Sequence, residues 1–172
     1  IAALLIIIIF VLGEIAASNF LSLEQVLLTI KLASFIALFG LCQMIVIASG
    51  GSGLDLSVGY TATITAVLTA SIMDGSNENL WLAVLIAIVI GIAVGFGNGM
   101  LTSYLKLPPL VVTLAMSNIL QGIINVYTAG SNITGRPSPI LRDISAKSTG
   151  IIPNIVFILL IATVLVDRKS VV

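Results

Sequence analysis

The chain has 172 residues, of which 59% are hydrophobic and only 8% charged, and its seven basic and seven acidic side chains leave no net charge. A soluble domain carries roughly 25% charged residues, about 43 at this length, so a water-soluble globular fold is excluded, and high hydrophobicity with low charge is the opposite of disorder. Zero net charge offers nothing to a nucleic acid, while the absence of His and the single Cys42 remove Ser-His or Cys-His nucleophile pairs, intrachain disulfides and soft metal clusters.

In chain order, Ile1 to Leu12 is apolar but short for a crossing. It lacks the basic flank and initiating Met of a secretory signal, and reads as a first helix cut by the boundary of a fragment. Charge-free windows follow at 32–54, 56–73, 79–105, 107–135 and 148–166. A crossing needs about 20 apolar residues, so each window holds one, with helices near 26–48, 57–73, 80–104, 109–127 and 151–166. The expected fold class is all-α, a polytopic transmembrane bundle of about six spans with a Gly-rich broken helix near 49–57.

Basic residues in short loops set orientation. The loops at 13–25 and 74–79 hold Glu14, Glu24, Asp74 and Glu78 and no cation, whereas Lys106 and the Arg168-Lys169 pair would share the opposite, cytoplasmic side. Lys31 can snorkel from its helix end. The segment 128–150, with Arg136, Arg142 and Lys147, departs from the charge rule and is read as the one substantial external piece. Its Asn132-Ile133-Thr134 triplet matches a glycosylation acceptor, a common chance pattern in polar loops.

The most unusual stretch is Ser49-Gly50-Gly51-Ser52-Gly53-Leu54-Asp55-Leu56-Ser57-Val58-Gly59. Non-helical backbone survives at membrane depth only inside protein or against a water-filled cavity. Asp55 is the acidic residue between two apolar windows, and such a group costs about 2.5–3.5 kcal/mol on insertion scales. Three roles remain open for it: capping the next helix, lining a substrate path, or coupling an ion. In that helix Thr61, Thr65 and Thr69 recur four apart, as do Ala62, Ala66 and Ala70, a spacing that favours close packing.

The fourth helix carries an unbroken small-residue series, Ala83, Ala87, Gly91, Gly95 and Gly99, which predicts close helix contact. In the fifth, opened by Pro108 and Pro109, residues Thr113, Ser117 and Gln121 fall four apart with Asn118 and Asn125 beside them. That uncharged polar face suits either a neutral polyhydroxylated solute or bonds between helices. There is no Gly-x-x-x-x-Gly-Lys-Ser/Thr loop, so ATP hydrolysis by that route is not expected of this chain.

Gly53-Leu54-Asp55-Leu56-Ser57-Val58-Gly59, with the glycines before it, resembles the Gly-Gly-Ile-Asp-Leu-Ser-Val-Gly signature of bacterial ABC sugar permeases of the ribose, xylose and galactose type. Gly95-Phe96-Gly97-Asn98-Gly99-Met100-Leu101 resembles that family's Gly-x-x-Asn-Gly-x-Leu segment, and Lys106-Leu107-Pro108-Pro109-Leu110-Val111-Val112-Thr113-Leu114 its Val-Pro-Pro-Phe-Ile-Val-Thr-Leu. Gln121-Gly122 and Tyr127-Thr128-Ala129-Gly130 fit an Arg-Gly and a Thr-Gly-Gly pattern loosely. The order is preserved over most of 45–135. The departures are the Ser52-Gly53 insertion and Gln121 where Arg is frequent.

This resemblance implies one transmembrane permease domain over 1–172, partial because the family's N-terminal start and distal helices are missing. It implies no catalytic residue and no metal. Asp55 and Ser57 would end or line the broken helix, and Asn98, Pro108, Pro109 and Thr113 would shape the turn between helices four and five. The implied partners are a second permease subunit, identical or not, cytoplasmic ATP-binding subunits that hold ATP and Mg, an extracytoplasmic sugar-binding protein, and lipid, in the bacterial inner membrane. The rival readings are a branched-chain amino-acid ABC permease, an ATP-independent secondary transporter or channel, and a membrane scaffold.

Overall fold

The computed structural model describes residues 2–17, 19–48, 53–130, 135–149 and 152–170. In order these form α1 (Ala2–Ala16), α2 (Leu23–Ala48), α3 (Val58–Met73), α4 (Leu80–Ser103), α5 (Pro109–Thr128), α6 (Pro139–Ala146), the two-residue strands β1 (Ser148–Thr149) and β2 (Ile152–Pro153), and α7 (Asn154–Ser170). The fold is all-helical apart from that antiparallel pair, in which Ser148 faces Pro153 and Thr149 faces Ile152. Six helices lie where the hydropathy places them. Three, α2, α4 and α5, are long and apolar enough to cross a membrane, and the other apolar helices are shorter. At 1.5 Å per residue the 16 residues of α3 span about 24 Å, less than a hydrocarbon core of about 30 Å. Among the described residues three helices therefore meet the length criterion, fewer than the six crossings expected.

The chain clusters into two units, residues 39–144 and residues 1–38 with 145–172. In the second of these, the Phe10 and Phe20 rings meet edge to face at 5.8 Å, and Glu14 Oε2 accepts the Leu21 N–H at 2.6 Å. These contacts close the α1–α2 turn. Ser22 caps α2, its Oγ accepting the Gln25 N–H at 3.3 Å. Further on, the Asn154 N–H reaches the Lys147 carbonyl at 3.1 Å, tying the start of α7 to the end of α6.

In the unit 39–144, α3, α4 and α5 pack together. Ile64, Val67 and Met73 from α3, Ala83 from α4, and Val112 and Leu120 from α5 supply its buried apolar side chains. Asp74 ends α3 in the left-handed region at φ 40°, followed by Gly75 at φ 78°, a hairpin of helices that leads into α4. The Gly75 N–H donates to the Arg136 carbonyl at 2.9 Å, and Asn77 Oδ1 accepts the Ile140 N–H at 3.2 Å. The segment 135–140 is thereby fastened to the α3–α4 turn, so these two pieces, both expected outside, share one end of the helices. Lys106, at φ 51° in the α4–α5 turn, lies at the other.

The loop expected over 128–150 contains the helix α6, which hydropathy did not reveal because it has eight residues and is not apolar throughout. Its start is local chemistry: Ser138 is completely buried, its Oγ accepts the Leu141 N–H at 3.3 Å, and Pro139 occupies the first helical position, where the missing N–H does no harm. The Asn132-Ile133-Thr134 triplet lies outside the described residues.

Gly135 has no room for a side chain, since a Cβ there would overlap the Ala70 and Ser71 backbone. Gly135→Ala is expected to lower stability by about 1–3 kcal/mol through overpacking. A thermal melt in detergent checks this, with Gly122→Ala, inside α5 where the space is open, as the control that melts no lower than wild type.

Candidate functional site

The site grows from one problem. α2 ends at Ala48 and α3 begins at Val58, and the described residues between them, 53–57, are not helical. Ser57 touches Asn98, which lies five residues before the end of α4, about 7.5 Å along that helix. The non-helical backbone therefore runs alongside the bodies of α4 and α5 and not beyond their ends. There its amides need partners from protein.

Side chains provide them. Gln43, from the last two turns of α2, brackets Asp55: its Oε1 accepts the Asp55 N–H at 3.2 Å and its Nε2 donates to the Asp55 carbonyl. Thr113 Oγ1 bonds the Leu54 carbonyl at 3.2 Å and Ser117 Oγ the Leu56 carbonyl at 2.8 Å, both reaching over from α5. The Ser57 carbonyl accepts the Thr61 N–H and hydroxyl, each at 2.8 Å. Gly53 allows the close approach of α5, because a Cβ there would lie 2.5 Å from Pro109 Cβ.

Asp55 is not itself the cap of α3. Ser57 holds that position, and Asp55, two residues earlier, accepts the Ser57 N–H at 2.8 Å and its hydroxyl at 2.6 Å, both on Oδ1. The carboxyl group thus organises the residue that starts the helix. Because the Ser57 proton goes to Asp55, Ser57 Oγ must accept from Asn98 Nδ2, at 2.9 Å. That fixes the orientation of the Asn98 amide and leaves its buried Oδ1 without a hydrogen bond.

The polar face of α5 divides. Thr113 and Ser117 are buried at 5% and 4% exposure, whereas Asn118, Gln121 and Asn125 are exposed. A step of four residues turns 400° about the axis, so the row drifts by about 40° at each step. Gln121 has rotated away from the contact that Thr113 makes. The expectation that Gln121 and Asn125 share one face with Thr113 and Ser117 is corrected accordingly.

The glycine series of α4 is corrected too. Gly91, Gly95 and Gly99 meet nothing within 4 Å where a Cβ would stand, and neither does Gly59. Only Ala83 and Asn98 of α4 are buried. In place of tight helix contact, Gly91 and Gly95 floor a groove of roughly 530 Å³ between α2, α3 and α4, bordered by Asp55, Thr61 and Thr65. Beside it, Gly95 and Gly99 border a cavity of roughly 350 Å³ that Asp55, Asn98, Thr102 and Thr113 also line. Among the described residues, neither is lined by Lys or Arg. The hydroxyls of Thr61, Thr65 and Thr69 each donate to the carbonyl four residues back, at 2.7–2.8 Å, which leaves their oxygen lone pairs as acceptors.

Pro108 and Pro109 open α5 as expected, with Pro108 at the cap and Pro109 within the first turn. Gly50 and Gly51, and with them any continuity of a broken helix across 49–52, lie outside the described residues. Gln43 was not anticipated. Its signal was present: a lone amide in an apolar run, where a polar side chain needs a partner, and the unpaired amides of the stretch around Asp55 are that partner.

Comparison with known proteins gives a consistent family. The chain matches the family described as Branched-chain amino acid transport system / permease component over residues 25–168. It is 32% identical over 145 residues to Autoinducer 2 import system permease protein LsrC of Salmonella typhimurium, covering 84% of this chain and 41% of that protein. It is 41% identical over 83 residues to Fructose import permease protein FruF of Bifidobacterium longum, covering 47% of this chain and 22% of that one. The chain therefore spans less than half the length of these relatives. No solved structure matches.

Two substitutions test the side-chain support of 53–57. Ser117→Ala strands the Leu56 carbonyl and is expected to cost about 1–3 kcal/mol. Gln43→Leu strands both the N–H and the carbonyl of Asp55 and is expected to cost more. Melting temperatures in detergent should fall in that order, with Asn118→Ala, on the exposed side of α5, unchanged.

Proposed function

This chain belongs to the family of branched-chain amino acid transport system permease components, and from that premise we propose that it forms the translocation path of an ATP-driven importer of a monosaccharide. Its 1–172 segment is one permease domain crossing the bacterial inner membrane six times, with 49–57 as a break within a crossing. The reading is supported by the non-helical stretch 53–57. α3 alone is too short for the hydrocarbon core, and the stretch 53–57 makes up the missing length at the depth where α4 and α5 run.

The observation that carries the solute class is the polar chemistry of the two cavities beside Asp55. It consists of hydroxyls, an amide and one carboxyl group, with no cation. A free amino acid brings a carboxylate that needs a cationic or multiply donating partner, whereas a sugar brings neutral hydroxyls that both donate and accept. The relative named for fructose import supports the same class, and the amino-acid reading, which rests on the wording of the family description, is not favoured.

Work is done by partners in this reading. ATP and Mg sit on cytoplasmic ATP-binding subunits, a second permease subunit completes the membrane half, and an external sugar-binding protein delivers the solute. The chain itself is not an enzyme. Closure of the ATPases rocks two membrane halves around a fixed path, with Asp55 and Ser57 along it and Thr113 and Ser117 holding its wall, while Gln121 and Asn125 lie on the exposed side of α5.

Reconstituted vesicles provide the test. Labelled D-fructose, D-ribose or D-galactose should accumulate only when the ATPase subunits, ATP and the binding protein are all present. Uptake by the permease alone under an ion gradient would instead establish a secondary transporter. Arg136→Ala with Arg142→Ala, at the end of the helices assigned to the outside, should reduce uptake severalfold by weakening delivery, and normal uptake would remove that segment from the docking surface.

A further inference from the structure

Two acceptors near the break have no assigned partner. Asp55 uses Oδ1 for both of its bonds to Ser57, and Oδ2 makes no hydrogen bond among the described residues. Asn98 is 7% exposed, and its Oδ1 is buried without a partner while its Nδ2 is committed to Ser57. Both residues line the cavity of roughly 350 Å³ that Thr102 and Gly99 also border. A buried amide oxygen left unsatisfied is destabilising, and native interiors rarely keep one without a use.

The ligand must bring donors. A metal cation would also suit acceptors, but it needs about six oxygens. The carbonyls of 54–56 each already accept a side-chain hydrogen bond, Leu54 from Thr113, Leu56 from Ser117 and Asp55 from Gln43, so they are poorer ligands for a cation. A cavity of this volume is also far larger than one ion. A single water would satisfy one acceptor and leave most of the space unfilled. A neutral molecule with several hydroxyls fits the volume and supplies the donors.

We propose that Asp55 Oδ2 and Asn98 Oδ1 form a two-acceptor subsite for the hydroxyl groups of a neutral polyol, in the cavity bounded by the end of α2, the stretch 53–55, α4 and the start of α5. The solute class rests on the permease reading above. The division of labour within Asp55 is new: one oxygen builds the start of α3, and the other meets the solute. Asn98 likewise uses its nitrogen for structure and its oxygen for recognition.

That division makes the test clean. Asp55→Asn keeps an oxygen for the Ser57 bonds while turning the second acceptor into a donor. It should melt with wild type, yet slow sugar uptake at least tenfold in the reconstituted importer. Uptake within twofold of wild type would overturn the proposal. A second measurement needs neither ATP nor partners' turnover. The intact permease carrying Thr102→Cys in a Cys42→Ser background is labelled with a maleimide in detergent. D-fructose, D-ribose or D-galactose at 100 mM should slow labelling at least threefold, with L-leucine and sodium chloride at matched concentration ineffective, and Asp55→Asn should abolish the protection. Protection by sodium ion or by leucine, or none by any sugar, would overturn the polyol assignment. Failure of ATP-driven uptake with protection intact would instead count against the coupled importer and leave the subsite standing.

Discussion

A backbone that leaves the helical path beside membrane-crossing helices must still satisfy its N–H and C=O groups, and that requirement organises the unit 39–144. Between Gly53 and Ser57 the main chain makes no helix, so Gln43, Thr113 and Ser117 supply the bonds that a continuous helix would have made internally. Each comes from a different turn of a neighbouring helix. The pattern fixes the rotation of α2 and α5 about the stretch, because an amide or hydroxyl that has found a buried partner resists turning away. Gly53 is small for the same reason: Pro109 must come close enough for Thr113 to reach Leu54.

Function follows from what this arrangement leaves open. The glycines of α4 do not draw a helix into contact. They keep the space beside Asp55 unfilled. The non-helical stretch 53–57 leaves the Asp55 carboxyl group beside that open volume, which is where the proposed solute would meet it. Among the described residues the lining carries no Lys or Arg, in keeping with the neutral solute proposed.

Much of the fold could be read from the sequence because hydrocarbon imposes a simple rule of charge-free runs near 20 residues. The predicted 26–48, 80–104 and 109–127 segments differ from α2, α4 and α5 by at most three residues at either end. Helix α6 escaped because eight residues with Arg142 and Asp143 give no apolar run, although Ser138-Pro139 carries a start signal. The site was half legible. Asp55 and Ser57 stood out as polar residues between apolar windows, and Thr113 with Ser117 as a row. What spacing could not convey was partnership. A row of four-residue steps drifts around a helix, so Gln121 and Asn125 left the contact, and a pattern of small residues fits an open groove as well as a tight seam. Gln43 became meaningful only once the chain folded back on it.

Gln43, Thr113 and Ser117 hold 53–57 as ordered, protein-bonded backbone. Amide hydrogen exchange on the permease in lipid nanodiscs tests it most directly. The Asp55 and Ser57 amides should exchange nearly as slowly as those inside α3, and Gln43→Leu should speed Asp55 by at least tenfold while α5 stays protected. Exchange at Asp55 as fast as in an open loop in wild type, or no response to Gln43→Leu, would contradict it.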